Sequence, residues 1–95
     1  MPPTKLSDAE IAQALAGLAG WRREGDEIVR EFQLADFVAA LGLITQIGVL
    51  AERMDHHPTL TNTYNRVRVA LSTHDLGGIS DYDVRLAGEI NERAG

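Results

Sequence analysis

The sequence predicts an α+β domain: a small antiparallel sheet of about four strands with helices packed on one face, in the order α-β-β-α-β-β-α. Three observations support this class. Apolar residues recur at helical spacing in three segments, a two-residue loop joins two extended segments, and a later segment alternates between apolar and polar residues. The chain has 95 residues, so we expect a single domain, 1–95, with one modest core.

The first predicted helix begins at Ser7. Ser7 can cap the helix, and Glu10 can bond back to the cap, which makes a capping box. Leu6 and Ile11 occupy the hydrophobic staple positions around that start. Apolar residues then continue at helical spacing as far as Leu18, and we expect Gly17 and Gly20 to bring the helix to an end.

A β-hairpin is predicted next. Two extended segments, 21–24 and 27–34, flank the pair Gly25-Asp26. Glycine in the first position of a two-residue loop is typical of a type II′ hairpin turn. These segments are expected to form the first two strands.

A long helix is predicted from about Phe37 to Asp55, with Asp36 as its cap. Its apolar residues fall on two adjacent stripes that together cover roughly half of the helix circumference. So wide an apolar face suits packing against a sheet and also a contact between subunits. The longest uncharged run, Phe37 to Ala51, is shorter than the about 20 residues that span a bilayer, so we expect no membrane association.

Two more strands and a last helix follow. Pro58 disfavours helical dihedral angles at His57 and so helps to end the long helix. Residues 59–63 are predicted as a short extended segment, and residues 66–74 alternate cleanly as a strand. The last helix is expected to begin at Ser80.

Composition narrows the classes of function. The chain is 44% hydrophobic and 24% charged, which is typical of a globular protein. A net charge of −5 argues against nonspecific binding to nucleic acid or anionic membranes. The absence of cysteine excludes a thiol nucleophile and thiolate metal sites. The first five residues lack the apolar core of a secretion signal, so we expect a cytoplasmic protein.

All three histidines lie in one window beside carboxylates, which indicates proton transfer or metal binding. The histidines are His56, His57 and His74, and the acids are Glu52, Asp55 and Asp83. Glu52, Asp55 and His56 stand at i, i+3 and i+4, so we expect them to share a face of the last helical turn. The free carbonyls at that helix end favour a cationic imidazolium.

Other interpretations remain open for these residues. His56 can simply be a partner of the helix dipole, and Asp83 completes the Ser-x-x-acid pattern of a helix start with Ser80. Three histidines and three acids are enough ligands for a metal, yet adjacent histidines diverge along the chain and no HExxH motif is present. A nucleophilic triad is disfavoured because Ser72 lies too near His74 along a strand.

The window resembles the signature of pterin-4a-carbinolamine dehydratases, which in vertebrates also act as dimerisation cofactors of a homeodomain transcription factor. The resemblance is carried by residues at fixed spacing, namely Glu52-Arg53-Met54-Asp55-His56-His57-Pro58, Tyr64, Ser72-Thr73-His74 and Asp83. It runs without gaps from about Glu52 to Asn91. Trp21 and the hairpin upstream agree in position.

The resemblance implies a reaction in tetrahydropterin recycling. A 4a-hydroxytetrahydropterin, left by an aromatic amino acid hydroxylase, loses water to give quinonoid dihydropterin. The step needs an acid for the departing hydroxyl and a base for the nitrogen proton. The pterin is the substrate, and no cofactor or metal is implied.

The resemblance also implies roles for individual residues. Three histidines would surround the pterin: His56, His57 and His74. Two carboxylates would assist them, Glu52 by orienting the His56-His57 pair and Asp83 by supporting His74. Three further residues would hydrogen-bond the ring edges, partly through strand-end backbone: Asp55, Ser72 and Thr73. Which histidine is the acid and which is the base does not follow from the sequence.

The same resemblance implies a homodimer or homotetramer and a functional link to a hydroxylase. One departure is that Thr59 and Leu60 stand where the family commonly has an acidic residue and an aromatic one, which is expected to affect pterin affinity more than the chemistry. The alternative function is a non-catalytic dimeric binding module or transcriptional cofactor. A metal-dependent hydratase is a third possibility.

Overall fold

The structure is a computed structural model that describes residues 2–95. Its three helices and four strands follow the predicted order and confirm the α+β class. In chain order they are α1 (Asp8–Ala16), β1 (Arg22–Glu24), β2 (Glu27–Gln33), α2 (Phe37–Met54), β3 (Thr59–Thr63), β4 (Arg66–Leu71) and α3 (Asp81–Ala94). A 3₁₀ turn, His74–Leu76, lies between β4 and α3.

The four strands form one antiparallel sheet in the order β1-β2-β4-β3. The central strands β2 and β4 place Ile28 opposite Leu71 and Phe32 opposite Val67. At the predicted hairpin, β1 and β2 are joined by two residues, and Gly25 has a φ of 61°. A positive φ at the first loop position agrees with the predicted turn.

The core lies between one face of this sheet and the helices. Side chains that alternate along β2 and β4 meet buried residues of α2 and α3 there. The members of this core with no more than 1% exposure are Ile28, Ala40, Ile47, Ala51, Val67, Val69, Leu71, Ile79, Leu86, Ala87 and Ile90. Burial of an aliphatic side chain stabilises the fold by about 1.5–3 kcal/mol each, relative to leaving it exposed.

The other face of the sheet carries charged side chains over two buried apolar residues. Val29 and Ala70 alternate with the core positions, and both are buried. Arg68 of β4 pairs with Glu24 of β1 at 2.7 Å, so its side chain crosses the intervening β2. Arg22 pairs with Glu24 as well. These ion pairs cover the apolar strip from solvent.

Helix starts agree with the sequence. The Ser7 hydroxyl accepts from the Glu10 N–H, and the Glu10 carboxylate accepts from the Ser7 N–H. Asp36 caps α2 by accepting from the Ala39 N–H at 2.8 Å. At α3, Ser80 forms a second capping box, which is described with the site below.

Helix α2 has a buried side and an exposed apolar side. The side of the helix that contains Leu43, Ile47 and Leu50 packs in the core. The outer side exposes Phe37, Val38, Leu41 and Val49, at 45%, 75%, 43% and 50% respectively. By length and composition alone the helix could cross a membrane, but its inner side packs in the core of this domain.

Strand β4 ends earlier than predicted. It stops at Leu71, whereas alternation suggested a strand as far as His74. The Thr73 N–H donates to the Gly78 carbonyl at 2.8 Å, and His74 begins the 3₁₀ turn. The chain therefore curls back on itself after β4 and carries His74 out of the sheet.

Candidate active site

The end of α2 sets the direction of the histidine pair. The helix ends at Met54, and Asp55 adopts the left-handed conformation with φ 50° and ψ 45°. The His56 N–H then donates to the Ala51 carbonyl at 3.0 Å. The prediction that Glu52, Asp55 and His56 share a helical face is therefore wrong, because the left-handed residue turns the chain before His56.

His56 pairs with a buried carboxylate on another helix. Its Nε2 lies 2.5 Å from Oδ1 of Asp83, and the two side chains are 11% and 0% exposed. The Tyr82 ring packs edge-on against the imidazole, with centroids 5.8 Å apart and planes at 87°. Asp83 was predicted to support His74, and this is corrected: its histidine partner is His56.

Asp83 also caps its own helix, as the Ser-x-x-acid pattern indicated. Its Oδ2 accepts from the Ser80 N–H at 2.9 Å and from the Thr73 hydroxyl at 2.8 Å. The position in the first turn of α3 is favourable for a negative charge because of the helix dipole. A buried carboxylate without such partners would be strongly destabilising, so the surrounding donors are what allow it here.

The second pair is open to solvent. Nε2 of His57 lies 2.8 Å from Oε1 of Glu52, with side-chain exposures of 57% and 80%. Glu52 contacts His57 and not both histidines. An ion pair this exposed is screened and worth about 0–1 kcal/mol. The contact therefore adds little to the stability of the fold.

One cleft of about 190 Å³ unites most of the predicted site residues. Its lining residues are Asp55, His56, His57, Ser72, Thr73, His74 and Asp75. Glu52 and Asp83 are not among them, but each contacts a histidine that lines the cleft. The His74 side chain is exposed and makes no hydrogen bond or ion pair within residues 2–95.

The polar groups of Thr73 bond to other residues of the protein, whereas the sequence suggested that they bind the substrate. Its hydroxyl contacts Asp83 and Ser80. Its N–H donates to Gly78, and its carbonyl accepts from Leu76. A ligand would have to compete with these bonds, so the predicted contact between Thr73 and substrate has no free polar group to make it. Asp55 and Ser72 line the cleft, and their contact with a substrate stays a prediction.

Three residues at or next to the cleft were not predicted from the sequence as part of the site. Asp75 lines the cleft beside His74, and its adjacency to a motif histidine was the available signal. Ser80 contacts Thr73, but its pattern indicated only a helix cap. Nothing in the sequence indicated that Tyr82 would contact His56, because that contact depends on the packing of α3 against the end of α2.

The residues that depart from the family pattern lie outside the cleft lining. Leu60 packs against the core, opposite Val69 in the sheet, and Thr59 stands opposite Ala70. The cleft wall is therefore not altered directly at these positions. Tyr64 of the motif is at the tip of the β3–β4 hairpin, 63% exposed, at the opposite end of β4 from the cleft.

A larger groove lies on the charged face of the sheet and contains none of the histidines. Its volume is about 460 Å³, and it is lined by Glu31, Phe32, Gln33, Thr61, Thr63, Arg66, Val67 and Arg68. All three histidines line the smaller cleft. Because histidine is the side chain that exchanges a proton near pH 7, we take the smaller cleft as the candidate active site. Within residues 2–95, no group of three or more His, Cys, Asp or Glu side chains is arranged to hold a metal ion.

Comparison with known families tests the resemblance drawn from the histidine window. A family model described as pterin 4 alpha carbinolamine dehydratase matches residues 4–93. The chain belongs to the pterin-4a-carbinolamine dehydratase family. The resemblance inferred from the histidine window is thereby confirmed.

Two members of this family are similar to this chain over nearly its whole length. A protein of Chloroflexus aurantiacus, provisionally named a pterin-4-alpha-carbinolamine dehydratase, is 50% identical over 91 residues, which cover 96% of this chain and 98% of that protein. One of Metallosphaera sedula with the same provisional name is 47% identical over 88 residues, covering 93% and 92%.

Solved structures share the architecture. A protein from Brucella melitensis, described as a transcriptional coactivator/pterin dehydratase, superposes with a TM-score of 0.94 at 38% identity, covering 97% of this chain and all of that one. A pterin dehydratase-like RuBisCO assembly factor of the alpha-carboxysome has a TM-score of 0.65 at 16% identity, covering 79% and 87%. At that identity the second likeness concerns the fold alone.

Proposed function

We propose that this chain is a 4a-hydroxytetrahydropterin dehydratase acting in tetrahydropterin recycling. It would convert its substrate to quinonoid dihydropterin and water by histidine general acid–base catalysis. The observation that carries the proposal is that two histidine–carboxylate pairs and a third histidine meet at one cleft. Groups of this kind typically contribute about 10²–10⁴-fold each to a proton-transfer step.

His56 serves as the base in this proposal. Its Nε2 is occupied by the Asp83 carboxylate, which leaves Nδ1 to take the nitrogen proton of the substrate. The imidazolium that forms is stabilised by the same carboxylate, as in other histidine–aspartate pairs. Burial of the pair keeps the ring in one orientation.

His57 serves as the acid. It delivers a proton to the 4a-hydroxyl, the carbon–oxygen bond breaks, and the hydroxyl leaves as water. The electron pair of the nitrogen–hydrogen bond that His56 breaks forms the new ring double bond, so the atoms and protons balance without a redox step. Because His57 is 57% exposed, solvent can reprotonate it after each turnover. Glu52 holds its ring.

The remaining cleft residues hold the pterin. Asp55 and Ser72 supply polar contacts for the ring edges, and His74 contacts the ring from the 3₁₀ turn. The cleft, at about 190 Å³, is smaller than the about 300–1,000 Å³ typical of sites that enclose drug-sized ligands. It therefore suits the bicyclic ring and leaves the pterin side chain in solvent.

The wider setting is part of the same proposal. The pterin is the substrate, and the step as written needs no cofactor. The exposed apolar side of α2, with Phe37, Val38, Leu41 and Val49, supports a homodimer or homotetramer. A cytoplasmic enzyme that follows an aromatic amino acid hydroxylase would meet its substrate where it is made.

The test is dehydration of enzymatically generated 4a-hydroxytetrahydropterin, followed by stopped-flow absorbance in the presence of a chelator. Acceleration over buffer by the wild-type protein supports the proposal. Loss of that acceleration on adding the chelator would favour the metal-dependent hydratase.

A binding module or transcriptional cofactor is the second candidate. The exposed apolar side of α2 favours it, as does the description of the Brucella melitensis structure, which names both activities. A folded wild-type protein that does not accelerate the reaction would shift the conclusion to this candidate.

A further inference from the structure

Thr73 and Ser80 form a buried hydroxyl pair behind the cleft. Their side-chain oxygens lie 2.6 Å apart, and the Thr73 oxygen lies 2.8 Å from Oδ2 of Asp83. Thr73 is 7% exposed, and Ser80 and Asp83 are 0% exposed. Two hydroxyls are thus enclosed between the 3₁₀ turn and α3, next to the carboxylate that holds His56.

The direction of each hydrogen bond follows from the number of protons. A hydroxyl has one proton to donate, and an ionised carboxylate only accepts. Thr73 therefore donates to Asp83, and Ser80 in turn donates to Thr73. The Ser80 oxygen accepts from the Tyr82 N–H at 3.2 Å. The hydrogen bonds run in one direction, from the start of α3 to the carboxylate.

The two oxygens of the Asp83 carboxylate therefore have different partners. Oδ2 accepts from the Thr73 hydroxyl and the Ser80 N–H, while Oδ1 faces Nε2 of His56 at 2.5 Å. With an acceptor at this distance, Nε2 is the ring nitrogen that carries the proton. Nδ1 of His56 has no partner within residues 2–95.

We propose that Thr73, supported by Ser80, is a positioning residue that aims the Asp83 carboxylate at His56 and so selects the Nε2–H tautomer, with Nδ1 free for the substrate. The catalytic consequence rests on the proposed dehydratase function. The tautomer claim rests on the hydrogen-bond geometry alone. Hydrogen bonds in a buried chain strengthen one another. Loss of the Thr73 hydroxyl should therefore weaken the hold of Asp83 on His56.

The test compares Thr73→Val, which keeps the shape and removes the hydroxyl, with Thr73→Ser, which restores it. Long-range ¹H–¹⁵N NMR spectra give the His56 tautomer, and stopped-flow dehydration gives kcat and KM. We expect wild type and Thr73→Ser to show the Nε2–H tautomer. Thr73→Val should show mixed tautomers and a kcat lower by about tenfold or more, with KM nearly unchanged.

Three results would overturn the proposal. One is wild-type His56 in the Nδ1–H tautomer, which needs no variant to be observed. Another is Thr73→Val with the wild-type tautomer and kcat. The third is a raised KM at constant kcat in Thr73→Val, which would assign Thr73 to substrate binding instead.

The NMR measurement separates this inference from the proposed function. If the wild-type protein does not accelerate dehydration, the proposed function fails, and the His56 tautomer in wild type and Thr73→Val still decides the positioning role. If Thr73→Val does not fold, Ser80→Gly removes the upstream hydroxymethyl group and leaves Thr73 in place, and glycine is well tolerated at a helix cap. It should shift the His56 tautomer in the same direction, and an unchanged spectrum would contradict the proposal.

Discussion

Nε2 of His56 lies 2.5 Å from Oδ1 of Asp83, although the two residues are separated by 27 positions in the chain. One residue follows the end of α2, and the other lies in the first turn of α3. The contact therefore links the proposed acid–base centre to the packing of these two helices. It is buried, whereas the His57–Glu52 contact is exposed.

Asp83→Asn should reduce both activity and stability. The amide keeps the shape but removes the charge that stabilises a His56 imidazolium, so kcat should fall about 10²-fold or more. The free energy of unfolding should fall by about 1–3 kcal/mol, because buried donors lose their carboxylate. Stopped-flow kinetics and urea denaturation measure the two effects.

Ser7→Ala is the matched control for that variant. It breaks the capping box of α1, at a residue that does not line the cleft, at a cost of about 1 kcal/mol. Its kcat should equal that of wild type. If Ser7→Ala lowers kcat as much as Asp83→Asn does, the activity loss reflects stability and not the loss of the carboxylate beside His56.

Glu52→Gln should have a milder effect than Asp83→Asn. The Glu52 side chain is 80% exposed, so its ion pair with His57 is screened by salt. We expect a reduction in kcat of a few fold, smaller at high ionic strength, with an unchanged melting temperature. Equal losses in the two variants would contradict the ranking of a buried pair over an exposed one.

Leu41→Asp should dissociate a homo-oligomer. Leu41 is 43% exposed on the apolar side of α2, where a charge cannot be buried without a partner. Light scattering after size-exclusion chromatography should show a smaller species than wild type. Gln13→Asp, on the exposed side of α1, should not change the mass. A Leu41→Asp protein with the wild-type mass would place the subunit contact elsewhere.

Acid should destabilise the protein through specific carboxylates. The Ser7 N–H and hydroxyl hydrogen bonds lower the pKa of Glu10 below 4.5, and the Arg22 hydrogen bond lowers the pKa of Glu31 in the same way. Because these pKa values are lower in the folded state, the unfolded chain takes up the protons first. The stability from these contacts is present above pH 4.5 and is lost as the pH falls through the folded-state values.

Urea denaturation at neutral pH and at a pH below 4.5 measures this loss. Glu10→Gln and Glu31→Gln should each reduce the dependence of the unfolding free energy on pH. An unchanged pH dependence in both variants would show that other groups control acid unfolding.

Local patterns determined the parts of the fold that sequence could predict. The capping boxes at Ser7 and Ser80, the Gly25 turn and the alternation in β4 depend on neighbours within a few positions, so element order and class followed from them. The end of β4 was misplaced because alternation continued to His74, while the bond from Thr73 to Gly78 turns the backbone.

The three histidines, and Glu52 as a carboxylate partner of the His56-His57 pair, could be named from sequence, but the histidine partner of Asp83 could not. Asp83 was assigned to His74 by motif position, and the structure gives it to His56 because α3 packs beside the end of α2. Likewise, the left-handed conformation of Asp55 separates Glu52 from His56. Such pairings depend on tertiary packing, which spacing along one chain does not encode.

The most direct test of the account is the stopped-flow rate of 4a-hydroxytetrahydropterin dehydration by wild type and by His57→Ala. His57 is 57% exposed, so the variant should keep the wild-type melting temperature while kcat falls by about 10²–10⁴-fold. A folded His57→Ala protein with wild-type kcat would contradict histidine acid–base catalysis at this cleft.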